Sequence, residues 1–141
     1  MDPKSTQTDR PRVAIFVHGG EYDRVHEALS IAAAAVSCEK HADVFLFWWA
    51  LERFAQGRLD EPDFAGGRED VVDRFEGRRL PTLRSLWTYL RESGECRLYA
   101  CTGSMQILGI KREALEPWVD QFIGWSTIFQ LTAGVTDRFS L

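Results

Sequence analysis

The sequence predicts an α/β fold: a three-layer α/β/α sandwich around a mainly parallel sheet of about five strands. Three observations predict it. Short continuous apolar runs, the mark of strands covered on both faces, alternate with longer segments of helical periodicity. The first two such runs flank one helix with short connections; this is a βαβ unit, which requires a parallel pair and a right-handed crossover. The chain has 141 residues, 45% hydrophobic and 27% charged, which suits one domain with one core.

The elements follow in order. Residues 1–11 are polar, carry two prolines and show no periodicity, so a disordered tail is expected ahead of a single domain at 12–141. Arg12-Val13-Ala14-Ile15-Phe16-Val17 is a buried strand by its β-branched and aromatic content. His18-Gly19-Gly20 turns at its carboxyl end. A helix over 22–38 follows, with Val25, Leu29, Ala32 and Val36 at helical spacing. Its Ile31-Ala32-Ala33-Ala34-Ala35 run lets the helix lie close to a sheet. Residues 43–49 (Asp-Val-Phe-Leu-Phe-Trp-Trp) form the second strand.

Residues 50–79 change character. Dense charge is interrupted by Gly57, Pro62, Gly66, Gly67 and Gly77, so a mobile charged insertion over the carboxyl edge is expected. Leu51 with Phe54 marks a short helical start and Val71 and Val72 with Phe75 another short apolar face, so the insertion is read with one helix and its charges as a solvated surface. Pro81 then opens a helix with Leu83, Leu86, Trp87 and Leu90 on one side, stopped at Ser93-Gly94. After the third strand and its helix, Phe122-Ile123-Gly124-Trp125 is a short strand and turn. Ser126 is expected to cap a helix that Gly134 stops, and residues 137–141 form the last strand. This alternation is flavodoxin- or Rossmann-like.

Composition excludes several functions. Net charge is −4, and no Lys/Arg stripe appears, which argues against a nucleic-acid partner. No apolar run reaches membrane-spanning length, and the first residues lack the layout of a secretory signal; a cytoplasmic protein without a membrane is expected. The cysteines are Cys38, Cys96 and Cys101, at spacings that match no zinc pattern. On one strand Cys96 and Cys101 would be about 16 Å apart and face opposite ways, so they cannot pair. No metal is expected.

The centre of the chemistry is the stretch from Arg97 to Ile110. Leu98-Tyr99-Ala100 is a short buried strand, Thr102-Gly103-Ser104 offers N-cap residues, Met105 and Leu108 begin the apolar side of a helix, and Gly109 stops it. Cys101 stands at the junction. In open α/β sheets ligands bind at this edge, where free N–H groups and the positive helix end favour the thiolate nucleophile. A cysteine that merely fills space is the competing reading.

Four stretches together resemble the DsrE/DsrF-like family. They are Val13 to Gly20 with the helix carrying Glu27-Ala28-Leu29-Ser30-Ile31-Ala32; Val44 to Trp49; Leu98-Tyr99-Ala100-Cys101-Thr102-Gly103-Ser104-Met105 with Leu108-Gly109-Ile110; and Phe122-Ile123-Gly124-Trp125-Ser126 with Asp137-Arg138-Phe139. Tyr-Ala-Cys-x-x-Ser-Met is the most specific piece. The family comprises small α/β/α proteins of sulfur trafficking, some labelled peroxiredoxin-like. The resemblance implies that Cys101 accepts a sulfane sulfur as a persulfide and passes it between donor and acceptor protein thiols, without a cofactor. It also implies oligomers: homotrimers, homohexamers or heteromeric rings, with a homo-oligomer (trimer or hexamer) expected.

The remaining candidates line the same edge. Thr102 and Ser104 can hydrogen-bond an anionic sulfur or cap the helix, and Gly103 leaves room for a donor. His18, Gly19 and Gly20 sit at the end of another strand, with His18 as a proton relay or a positive neighbour to Cys101, a plain turn residue being the competing reading; the glycine pair lacks the dinucleotide spacing. Trp125 is assigned to the pocket rim; of Trp48 and Trp49 one is expected to cap the pocket and the other to pack under a helix, with Trp49 taken for the pocket and core filling the competing reading for both. Cys38 and Cys96 are expected to be structural and inert, and His26 and His41 to lie on the surface. Two other classes stay open: an oligomeric interaction subunit in which Cys101 only packs, and a hydrolase with Cys101 on a nucleophile elbow and His18 as base.

Overall fold

A computed structural model gives the fold and describes residues 10–64 and 66–141. The elements run β1 (Arg12–Val17), α1 (Tyr22–Ser37), β2 (His41–Leu46), α2 (Trp48–Ala55), α3 (Glu69–Gly77), α4 (Leu83–Ser93), β3 (Cys96–Cys101), α5 (Thr102–Leu108), α6 (Arg112–Leu115), β4 (Gln121–Ile123), α7 (Trp125–Thr132) and β5 (Asp137–Ser140). One five-stranded sheet has the order β4-β3-β2-β1-β5, and every pair is parallel.

That order dictates the layers. From β1 through β2 and β3 to β4 the chain steps in one direction, so right-handed crossovers put their helices on one face. The step from β4 to β5 runs back across the whole sheet, which sends α7 to the other face. Packing agrees. Leu29 of α1, Phe54 of α2, Leu90 of α4, Met105 of α5 and Leu115 of α6 share one apolar cluster with Val44, Leu98 and Ala100. Phe45, Phe47, Tyr99 and Cys101 share the other with Ile128 of α7. The result is a three-layer α/β/α fold in which, among the described residues, one outer layer is a single eight-residue helix. Stacked rings thicken that thin layer: Phe16 on Phe45 at 5.2 Å and Phe45 on Tyr99 at 5.0 Å.

The central strands need no polar side. All six residues of β2 are buried, as strands between two layers should be. Against them α1 lays Ala28, Leu29 and Ala32, each fully buried. A buried leucine of this kind contributes roughly 1.5–3 kcal/mol relative to an exposed one.

Several expectations change. The second strand stops at Leu46, and Trp48 and Trp49 begin α2 rather than ending the strand. The cause is helical spacing further on: Ala50, Leu51 and Phe54 are fully buried along one side of α2. Trp48 enters the helix with φ 44°, a left-handed value that a bulky residue rarely adopts. The charged stretch 50–79 holds two helices. It also buries Leu59 and Phe75, so it is more than a solvated surface. Its Arg53 is only 4% exposed; Nε donates to the Gly20 carbonyl at 2.5 Å and the guanidinium pairs with Asp63 at 3.0 Å.

Ser126 does not cap the fourth-strand helix: α7 begins at Trp125 and Gly124 holds the cap position. The last turn closes at Ala133, one residue before Gly134. Thr102, Gly103 and Ser104 form the first turn of α5, whose cap position belongs to Cys101 and carries no side-chain cap bond. Gly94 and Gly109 do close their helices, in left-handed conformation. The expected tail falls outside the described residues up to residue 9. Pro11 is tied down, its carbonyl accepting from the His41 N–H at 2.8 Å.

His41 is buried rather than on the surface, because it opens a central strand between two carboxylates. Its Nε2 lies 3.1 Å from Asp43 and its Nδ1 3.4 Å from Glu95. Asp43, 2% exposed, also accepts from Arg12 and from the Tyr99 hydroxyl at 3.2 Å. Burial pushes the Asp43 carboxyl up, but hydrogen bonds from His41 and Arg12 and the nearby charges outweigh it; the net lies below the usual carboxylate value. Burial, with the Asp43 charge added, pushes the Tyr99 phenol up.

Candidate functional site

The connections after β3 and β4 leave for opposite faces, so a crevice opens between the carboxyl ends of these neighbouring strands. This is the switch point at which open α/β sheets bind ligands. A cavity of about 820 Å³ lies there, within the range of small-molecule sites.

Its walls come from five places. The β3–α5 junction contributes Cys101, Thr102, Gly103 and Ser104, with Ile107 one turn on. The β4–α7 junction contributes Gly124 and Trp125. From β1 come Phe16 and His18, from the start of α2 Phe47 and Trp48, and from the end of β5 Ser140 and Leu141. None of these side chains is an acid, a lysine or an arginine.

Strand alternation aims Cys101 here. Tyr99 and Cys101 lie in the cluster under α7, while Cys96, Leu98 and Ala100 lie in the opposite one. Cys101 is 6% exposed, and a Cβ added at Gly103 would stand 3.8 Å from its Sγ. The two junctions abut: a Cβ at Gly124 would lie 3.7 Å from the Thr102 Oγ1. Trp125 stacks on Phe47 at 5.2 Å and 18°, yet remains 53% exposed at the rim. The His18 ring is 6.1 Å from that of Trp48, and its backbone N–H donates to the Leu141 carbonyl at 2.6 Å. Among the described residues, neither the Cys101 sulfur nor the His18 ring has a hydrogen-bond partner. Among the same residues no group of three or more His, Cys, Asp or Glu is placed to hold a metal ion. No helix of them is long and apolar enough to cross a membrane.

The structure therefore brings together Cys101, Thr102, Gly103, Ser104, His18 and Trp125. It separates Gly20 and Trp49, which line a second, charged cavity with Arg53 and Asp63. Trp48 takes the place assigned to Trp49, because the helical start of α2 turns the second tryptophan away. Gly19 lines neither cavity; its N–H donates to the Leu141 carbonyl at 3.3 Å. Gly20 has a structural reason to be glycine: a Cβ there would meet the Trp49 carbonyl oxygen at 2.4 Å.

Sequence reasoning missed Phe16, Phe47, Ile107, Gly124, Ser140 and Leu141. Period-two alternation in the first two strands carries the signal for Phe16 and Phe47, since both share the face of Cys101. The other cysteines lie apart. Cys96 is buried, and burial pushes its thiol well up. Cys38 is exposed at the end of α1, not packed as expected.

Comparison with protein-family models gives no match, and comparison with curated proteins gives none. Among solved structures, the chain is similar to a protein of unknown function, MTH1491, from Methanobacterium thermoautotrophicum. The TM-score is 0.57 at 12% identity, over 93% of this chain and 99% of that one. At this identity the likeness speaks for the fold alone.

Proposed function

We propose that the protein is a sulfur carrier of sulfurtransferase type, akin to the DsrE/DsrF-like proteins its sequence resembles. Cys101 accepts a sulfane sulfur and passes it on. One observation supports this reading: Cys101 lines an open cavity at the switch point of the sheet, and its sulfur lies beside Gly103, where a side chain would come within 3.8 Å of it. In the loading step the Cys101 thiolate attacks the outer sulfur of a donor persulfide, R–S–SH. The donor S–S bond breaks, R–S⁻ leaves with the electron pair, and Cys101 becomes Cys–S–SH. In delivery an acceptor thiolate attacks that outer sulfur, and Cys101 leaves as thiolate. The exchange is balanced without metal or organic cofactor.

The partners are a sulfur donor and an acceptor protein thiol in the cytoplasm. Ile107, Trp125 and Phe129, exposed by 66, 53 and 71%, form an apolar rim that supports association of copies as a trimer or hexamer. That rim also favours the second reading, an interaction subunit in which Cys101 only packs. The hydrolase reading is weaker, since His18 makes no hydrogen bond to the thiol.

Intact-mass spectrometry after loading with a polysulfide decides between them, comparing wild type with Cys101→Ser. The carrier reading expects one added sulfur that the variant lacks. Equal loading of both, or none in either, overturns it.

A further inference from the structure

We infer that the cavity selects an uncharged, mainly apolar ligand with one polar group, so that its sulfur donor is a small aromatic or alkyl persulfide rather than an anionic peptide persulfide. The donor assignment rests on the carrier reading above; the ligand class rests on the cavity itself.

Two independent observations carry it. First, the walls are mainly apolar and aromatic: Phe16, Phe47, Trp48, Trp125 and Ile107 line the cavity with Cys101, no acid, lysine or arginine is among them, and His18 is the one basic side chain. An anionic donor would leave water for a wall with neither lysine nor arginine to pair with, which is costly. The Phe47–Trp125 stack, 5.2 Å between ring centroids with half of Trp125 still exposed, offers an open ring face for another flat group. Second, Ser104 lines the cavity at only 3% exposure, and its hydroxyl has no hydrogen-bond partner among the described residues. A hydroxyl that opens on the cavity without a partner in the chain is free to bond one polar atom of a ligand. Ser104 lies one helical turn from Cys101, so that polar atom sits near the reacting sulfur. During loading the Cys101 thiolate takes the outer sulfur of R–S–SH, the S–S bond breaks, and R–S⁻ departs with the electron pair. The Ser104 hydroxyl can donate to that thiolate as it leaves.

The test uses two donors, benzyl persulfide and glutathione persulfide, and a neutral fluorescent probe, N-phenyl-1-naphthylamine. Sulfur loading is followed by intact mass, and probe binding by fluorescence. Wild type is expected to load from the benzyl donor at least about tenfold faster than from glutathione persulfide. Trp125→Ala, at an exposed position, is expected to weaken probe binding by about fivefold and to shrink the donor preference. Cys101→Ser is expected to load from neither donor. Equal or reversed donor preference overturns the inference, as does failure of the probe to bind. Loading from neither donor, with probe binding intact and displaced by benzyl thiol, fells the carrier reading and upholds the ligand class.

Discussion

At the scale of single residues, the three cysteines differ by where they stand. Cys96 is buried and its thiol is pushed up, Cys38 is exposed, and Cys101 borders a cavity. Alkylation of the native protein, mapped by peptide mass, should mark Cys38 and Cys101 and leave Cys96 untouched until denaturant is added. Two glycines should also separate. Gly20→Ala drives a methyl into the Trp49 backbone at 2.4 Å and should cost about 1–3 kcal/mol in urea unfolding. Gly103→Ala meets only the Cys101 Sγ at 3.8 Å, so it should fold normally while slowing alkylation of Cys101. Asp43 governs the acid limb. Its folded value lies below that of the unfolded chain, so its contribution is present above about pH 4 and fades as pH falls toward the folded value. Unfolding free energy measured from pH 7 to pH 2 should drop in wild type, and Asp43→Asn should flatten that drop. At neutral pH the same substitution should cost about 3 kcal/mol, since it leaves Arg12 short of its partner.

At the scale of elements, caps and alternation explain most of what was legible. Thr82 caps α4 by accepting the Ser85 N–H at 3.1 Å, and Gly94 closes the same helix with φ 71°. Thr82→Ala should lower stability by about 1 kcal/mol, read from the thermal midpoint. The strand over Arg12–Val17 and the last strand from Asp137 were readable because their residue patterns are local. The Cys101 junction was readable for the same reason. The boundary at Trp48 was not: aromatic residues suit strands, and only the burial of Leu51 and Phe54 further along selects a helix. His41 was misjudged, and the burial of Arg53 was not foreseen, because a polar residue is buried when partners from distant segments meet it. Those partners, Glu95 and the Gly20 carbonyl, lie 54 and 33 positions away.

At the scale of the whole molecule, the layer on the α7 side is thin and its rim apolar. If copies associate through that rim, Phe129→Glu should lower the mass seen by light scattering, because the charge would be buried against a neighbour without a partner. The cavity wall supplied by Ser140 and Leu141 was beyond local pattern, since it exists only once β5 lies beside β1. That pairing joins the first strand to the last across the thread of synthesis. As the protein emerges from the ribosome, β1 must wait with one flank bare until Asp137 to Ser140 arrive. A bare flank is a template for stray strands, so the nascent protein stays exposed to aggregation along β1 until β5 pairs with it.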